Sequence, residues 1–302
     1  MTTMWLDLLG SQVRYYGNKF RTRVIEAGEG EPLVLIHGLT GSAEAYSRNI
    51  MRLSQNFRVL AFDLLWHGFS SKPKFDGLTI ASYGEQVIDL LDSLEIKKAS
   101  VEGLSLGGLI TMWLALHHPD RMNKIILNTT AGIVFKPGSP ERPPDIGMYP
   151  RLNGIASLRN PTRETARDRM YNLVSAPERV TDELVDLRLR IISDPEMSAA
   201  LLPVAEDFSK NQFGDFRMPE DRLKELSVPT LVLWSEKNPA LGPDGGEYIA
   251  GLIPNSQYYC IDDAGHWLQW EKPEEHDRVV TAFLKGERVD QRIGTSAGES
   301  SS

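Results

Sequence analysis

Gly103-Leu104-Ser105-Leu106-Gly107, followed directly by Gly108, is the stretch on which the reading of this chain turns. The apolar run Ala99-Ser100-Val101 precedes it, and a helix-compatible segment, Leu109 to His117, follows. A G-x-S-x-G core between a strand and a helix is the setting of a nucleophile elbow, where a sharp turn exposes the serine hydroxyl above a sheet. The turn strains Ser105, and Gly103 and Gly107 read as positions where strand and helix backbones come too close for a side chain. Ser105 is therefore the candidate nucleophile. The N–H of Leu106, just after it, is a candidate donor to a developing oxyanion.

A serine hydroxyl is a poor nucleophile at neutral pH and needs a base within hydrogen-bond reach. His266, in Ala264-Gly265-His266-Trp267 after the strand-like Gln257 to Ile261, is the candidate. His37 and His67 each precede a glycine in a turn at a strand end and read as structural. His276 sits in a charged helix and reads as solvated. His117 and His118 are adjacent on a helix and point in different directions, so no metal-ligand spacing is present. The second oxyanion donor is assigned to the N–H of Leu39, which follows His37-Gly38.

Serine first and histidine near the C-terminus is a distinctive chain order, and with these motifs the chain resembles the α/β-hydrolase superfamily over about residues 12 to 285. The resemblance implies a mostly parallel sheet with helices on both faces and an inserted helical lid. The element pattern agrees. Strands at 33–37, 58–62, 99–103 and 123–128 alternate with helices at about 43–54, 80–94 and 106–118, behind an opening hairpin around Gly17-Asn18. Residues 134–219 break the alternation with clustered prolines and polar helical stretches, Pro161 to Leu173 and Thr181 to Ile192, and read as the lid. The sheet resumes at 230–234 and 257–261, with helices at about 243–252 and 272–285. The core is thus 1–133 and 220–286, and 287–302 reads as a disordered Ser/Gly-rich tail.

Composition fits this class. The 302 residues are 41% hydrophobic and 25% charged, ordinary for a globular protein. The net charge of −8 disfavours nucleic acid or an anionic membrane surface as partner. No stretch reads as a signal peptide or reaches transmembrane length, and the single cysteine, Cys260, suits a reducing cytoplasm. Cys260 reads as a packing residue on a buried strand. No metal or cofactor is implied. The sequence leaves the oligomeric state open, a homo-oligomer included.

The superfamily usually places an aspartate a few residues past the strand that follows the lid. Here the segment reads Ser235-Glu236-Lys237-Asn238-Pro239, and Asn238 stands at the matching position. An amide can orient a histidine but cannot stabilise imidazolium by charge. Glu236, Asp244, Asp262 and Asp263 are the nearby carboxylates that could serve instead.

Within the superfamily the chain resembles the meta-cleavage-product hydrolases, which cut a C–C bond in ring-cleavage dienoates. Gly265-His266-Trp267-Leu268-Gln269-Trp270-Glu271 is similar to that family's G-H-W-x-Q-W-E, in which the tryptophan lines the pocket. Thr181-Asp182-Glu183-Leu184, followed by Arg188, is similar to its T-E-E-L segment with a substrate-anchoring arginine. The resemblance therefore implies substrate contacts at Trp267 and Arg188 and an anionic or aromatic small molecule as substrate. Leu104 stands where that family has asparagine, and the loop Leu39-Thr40-Gly41-Ser42-Ala43-Glu44 lacks that family's glycine-rich form; these departures suggest a less polar lining and keep a carboxylesterase or lactonase as the alternative. The amide at position 238 keeps a cofactor-free histidine-base lyase or oxygenase as a further one.

Overall fold

The structure is a computed structural model that describes residues 3–77, 79–139, 148–211 and 217–292, the side chains of 148–152 and 211 excepted. After a short helix, α1 (Met4–Asp7), come β1 (Gln12–Tyr16), β2 (Thr22–Ala27), β3 (Pro32–Ile36), α2 (Ser47–Leu53), β4 (Arg58–Phe62), α3 (Thr79–Ser93), β5 (Ala99–Leu104), α4 (Leu106–His117) and β6 (Met122–Asn128). Beyond an inserted segment the core continues with β9 (Thr230–Ser235), α9 (Pro243–Leu252), β10 (Ser256–Ile261), α10 (Leu268–Glu271) and α11 (Pro273–Leu284). The eight core strands form one sheet in the order β1-β2-β4-β3-β5-β6-β9-β10. β1 and β2 enter antiparallel, and every pairing from β4 to β10 is parallel. This is the mostly parallel sheet expected from the alternation, and it agrees with the α/β-hydrolase fold that the resemblance implies.

The strands show why the alternation was legible. In β3, Val34 and Ile36 belong to the core on one face, and Leu33 and Leu35 to the core on the other, all of them fully buried. A strand covered on both sides has no polar face, so it reads as a continuous apolar run. α3, α4 and α9 supply residues to the first core, and α2 and α11 to the second.

The insertion begins and ends with a short parallel pair, β7 (Ile133–Val134) and β8 (Met218–Pro219), with Ile133 opposite Met218. Between them lie α5 (Met148–Arg159), α6 (Arg163–Tyr171), α7 (Asp182–Ile192) and α8 (Pro195–Asn211). α6 and α7 are the expected polar helices. Each starts on a threonine: Thr162 accepts the Thr165 N–H at 3.1 Å and Thr181 accepts the Leu184 N–H at 3.2 Å. In α7 the buried residues are Leu184, Val185, Arg188, Ile191 and Ile192, one stripe at helical spacing with an arginine in it. Pro140, Pro143 and Pro144 lie outside the described residues, as does the Ser/Gly-rich tail from residue 293.

Three expectations change. Cys260 is only partly buried, because β10 is the edge of the sheet rather than an interior strand. Residues 289–292 are not free of the core: the Gln291 N–H donates to Tyr258 O at 2.8 Å and Arg292 pairs with Asp290 along the β10 edge. His276 is fully buried rather than solvated. Its Nε2 lies 2.8 Å from Glu102 Oε1, and its Nδ1 lies 2.8 Å from Asp277 Oδ1. Two carboxylates outweigh the burial penalty and push the imidazole up to about 10.

Removing His276 therefore leaves buried carboxylates uncompensated. His276→Ala should cost about 3–5 kcal/mol of stability at pH 7. A group whose pKa is raised on folding contributes fully below its unfolded value and loses that contribution as pH rises through the folded one. Urea unfolding should therefore show the gap between wild type and variant closing from pH 7 toward pH 10. A gap that stayed constant across that range would mean that His276 is neutral throughout.

Candidate active site

Ser105 follows the last residue of β5, at φ 55° and ψ −111°, outside the regions that L-residues ordinarily occupy. Several bonds over-determine the turn. The Ser105 N–H donates to Asn128 O at 3.0 Å, and Ser105 O accepts from Gly108 N–H at 3.0 Å and Ala131 N–H at 3.1 Å. The glycines are steric necessities. A Cβ on Gly103 would lie 2.1 Å from Gly107 O, and one on Gly107 would lie 2.3 Å from Ile36 O. Leu106 is the first residue of α4, so its N–H lacks an intrahelical acceptor and sits at the positive end of the helix dipole.

Leu39 lies in the loop after β3. The Gly41 N–H closes a turn on Gly38 O at 2.9 Å. Thr40, at φ 61°, donates its N–H to His67 Nε2 at 3.2 Å. His67 Nδ1 meets Leu65 O at 2.8 Å, which makes Nδ1 the donor and leaves Nε2 to accept. His37 likewise accepts the Leu64 N–H at 3.1 Å through Nε2. Burial lowers the pKa of both rings, so both stay neutral and brace the loop, in keeping with their reading as turn residues.

His266 is fixed by its surroundings. Its carbonyl accepts from Thr129 Oγ1 at 3.0 Å, and the next N–H, of Trp267, donates to Leu173 O at 2.8 Å. Its Nδ1 lies 3.1 Å from Asn238 Oδ1. The same oxygen accepts the Ala240 N–H at 3.4 Å, which settles the amide's orientation. Nδ1 must then carry the proton, and Nε2 is left as the basic nitrogen on the other side of the ring. The other carboxylates named above lie elsewhere. Glu236, Asp244 and Asp262 are exposed, and Asp263 is held by Lys237, Lys272 and Arg179. The partner of His266 is thus an uncharged amide. Burial first, and then the charge of Arg169, pull the imidazole down to about 4. A neutral ring at pH 7 can accept a proton, but the imidazolium formed has no negative neighbour among the described residues that line the cavity.

Ser105, His266, Asn238, Leu39, Leu106, Trp267 and Arg188 all line one cavity between the sheet and the inserted helices. Trp234, Leu241 and Phe208 give it apolar walls. Arg188 is 7% exposed, and its Nε and Nη2 are buried with no hydrogen-bond partner. Those two atoms are the donors of the side-on fork that grips a carboxylate. Leu104, in contrast, is fully buried in the core below and does not line the cavity. The inference of a less polar lining drawn from that position therefore fails. Sequence reasoning missed Arg169, which also lines the cavity. Ala166, Arg169 and Met170 form the buried side of α6, which places an arginine at an apolar position.

The Asn238 site makes a direct prediction. Asn238→Asp should raise the acylation rate, by about tenfold or more, because a carboxylate stabilises the imidazolium that an amide cannot. The burst phase with a nitrophenyl ester reads this step. A slower burst would mean that the amide has a role of its own.

The molecule can now be set beside known proteins. Residues 31–273 match the family model described as the alpha/beta hydrolase fold. A 2-hydroxymuconate semialdehyde hydrolase of Pseudomonas putida is 31% identical over 274 residues, 88% of this chain and 91% of that protein. Among solved structures, a mutant meta-cleavage product hydrolase from Pseudomonas fluorescens IP01, complexed with acetates, superposes with a TM-score of 0.80. It is 24% identical and covers 92% of this chain and 99% of its own. The carboxylesterase CesB from Bacillus subtilis superposes with a TM-score of 0.76 at 24% identity, over 91% of this chain and 92% of its own. At that identity the two structures speak for the fold.

Proposed function

The chain belongs to the α/β-hydrolase family and is a hydrolase of that fold, and on that premise we propose that it hydrolyses a C–C bond in an anionic ring-cleavage product of the 2-hydroxy-6-oxo-dienoate type. One observation carries the proposal. Arg188, whose Nε and Nη2 are buried and unpaired, lines the same cavity as Ser105 and His266. The similarity to the Pseudomonas putida semialdehyde hydrolase supports the same reading.

The chemistry follows from the placement. His266 Nε2 takes the Ser105 proton as Oγ attacks the substrate's keto carbon. The N–H groups of Leu39 and Leu106 receive the oxyanion. The substrate's 2-hydroxyl proton first moves to C5, and when the tetrahedral intermediate then collapses, the C–C bond breaks and its electron pair passes into the 2-keto-enoate so formed, whose carboxylate is held on Arg188. The imidazolium returns its proton to the leaving fragment. Water, deprotonated by the same nitrogen, then cleaves the acyl-serine and releases the second acid. Trp267 and the apolar walls contact the rest of the chain. The inserted helices act as the lid that shields the C–C cleavage from bulk water.

Turnover of a 2-hydroxy-6-oxo-dienoate in ¹⁸O-labelled water tests the reaction class. The expected products are a 2-hydroxydienoate and a carboxylic acid carrying label from water. Cleavage that leaves the acid unlabelled would favour the histidine-base lyase or oxygenase. An ester hydrolysed while the dienoate is untouched would favour the carboxylesterase, which shares the elbow and the base.

A further inference from the structure

Two arginines and no acidic residue are among the described residues that line the cavity. Among its described lining residues the ionisable side chains are Arg169, Arg188 and His266. Arg169, on α6, is 8% exposed, and its Nη1 is buried without a hydrogen-bond partner. Its other contacts are long: Nε to Thr40 Oγ1 and Nη2 to Leu39 O, both 3.4 Å. Arg188 leaves both donors of its fork unmet. Burial first, and then the neighbouring charge of Arg169, pulls Arg188 down to about 9. An uncompensated buried charge costs several kcal/mol, and buried charges are as a rule paired. Two of them in one cavity imply that the ligand brings the counter-charge.

We infer that Arg169 is a second anion-binding residue, so that the pocket takes an organic dianion: one carboxylate on the Arg188 fork and a second on Arg169, beside the Leu39-Thr40 loop. This rests on the anionic-substrate reading above and narrows it to dicarboxylates. It also bears on the missing aspartate. The side chains that share the cavity with His266 include Ser105 from the β5–α4 turn, Asn238 from the loop after β9, Thr129 after β6, Trp267 beside it and the two arginines, and no acid is among the described lining residues. Arg169 bears on His266 as a like charge that disfavours the imidazolium. A carboxylate bound to Arg169 cancels that repulsion. The ligand then supplies the negative charge that the amide of Asn238 lacks.

The test uses full-length Ser105→Ala protein, which binds without turnover. Calorimetry compares pairs of equal chain length, from butyrate and succinate to octanoate and suberate. The best dicarboxylate should bind about tenfold or more tighter than its monoacid, the increment of one charge-assisted hydrogen bond. Arg169→Gln should remove that preference, and Arg169→Lys should retain part of it. In NMR titrations of isotope-labelled histidine, the dicarboxylate should raise the pKa of His266 by about one unit or more, and the monoacid should not. Arg169→Gln should raise it without ligand. Equal affinities for the two acids, or an Arg169→Gln protein that keeps the preference, would overturn the inference. If monoacids bind through Arg188 with no preference, only this inference fails. If no acid binds and Arg188→Gln changes nothing, the anionic-substrate reading fails with it. The comparison of acids needs no arginine variant, so a misfolded Arg169→Gln protein leaves the test intact.

Discussion

Ser105→Ala leaves a folded protein with turnover reduced by about three to six orders of magnitude. The elbow sets this expectation. Ser105 is held at φ 55° by bonds to its backbone, not to its hydroxyl, so the methyl variant keeps the turn. What it loses is the nucleophile. The oxyanion donors and substrate binding remain, and in serine proteases such a remnant still exceeds the uncatalysed rate by about a thousandfold or more. Single-turnover rates with a dienoate and an ester measure the loss, and circular dichroism checks the fold. A fluorophosphonate should label the wild-type protein at Ser105 and leave the variant unlabelled. If the variant keeps most of its turnover, the serine is not the nucleophile and His266 acts alone.

Arg188→Lys raises KM for dienoates by about 30-fold or more and leaves neutral esters within a fewfold of wild type. A desolvated carboxylate on a bidentate guanidinium loses roughly 2–5 kcal/mol when that geometry goes, and each 1.4 kcal/mol is about tenfold. Lysine keeps the charge but offers a point donor, so the variant isolates the fork. Arg188 is on the buried stripe of α7, and the shorter lysine side chain can stay on that stripe with its amine toward the cavity. Equal effects on dienoate and ester would assign Arg188 to the packing of the inserted helices instead.

Much of this was legible because the informative residues obey local rules. The parallel strands are apolar runs covered on both faces, and the elbow needs its glycines wherever it occurs. Asn238 could be assigned because it follows a strong strand, β9, by a short turn. What stayed hidden depends on contacts far apart in the chain. His276 reads as a surface residue within Glu274-Glu275-His276-Asp277, yet its partner, Glu102, lies 174 residues away on β5. Glu102 itself was masked by the apolar run around it. β10 reads like an interior strand, since nothing local marks a sheet edge, and so Cys260 was placed too deep. Arg169 was missed because an arginine on a polar-looking helix reads as solvated until the helix is docked. The same lesson applies to Leu104, whose side chain points into the core and not toward the substrate.

Hydrolysis of anionic dienoates at this site is the central proposal. The most direct measurement is kcat/KM of the purified protein for a 2-hydroxy-6-oxo-dienoate carrying a second carboxylate, set against a short-chain nitrophenyl ester under the same conditions. The dienoate should win by about a hundredfold or more, the equivalent of one desolvated arginine–carboxylate contact, and Arg188→Lys should remove most of the advantage. An ester turned over as fast as the dienoate, or an advantage untouched by Arg188→Lys, would contradict it.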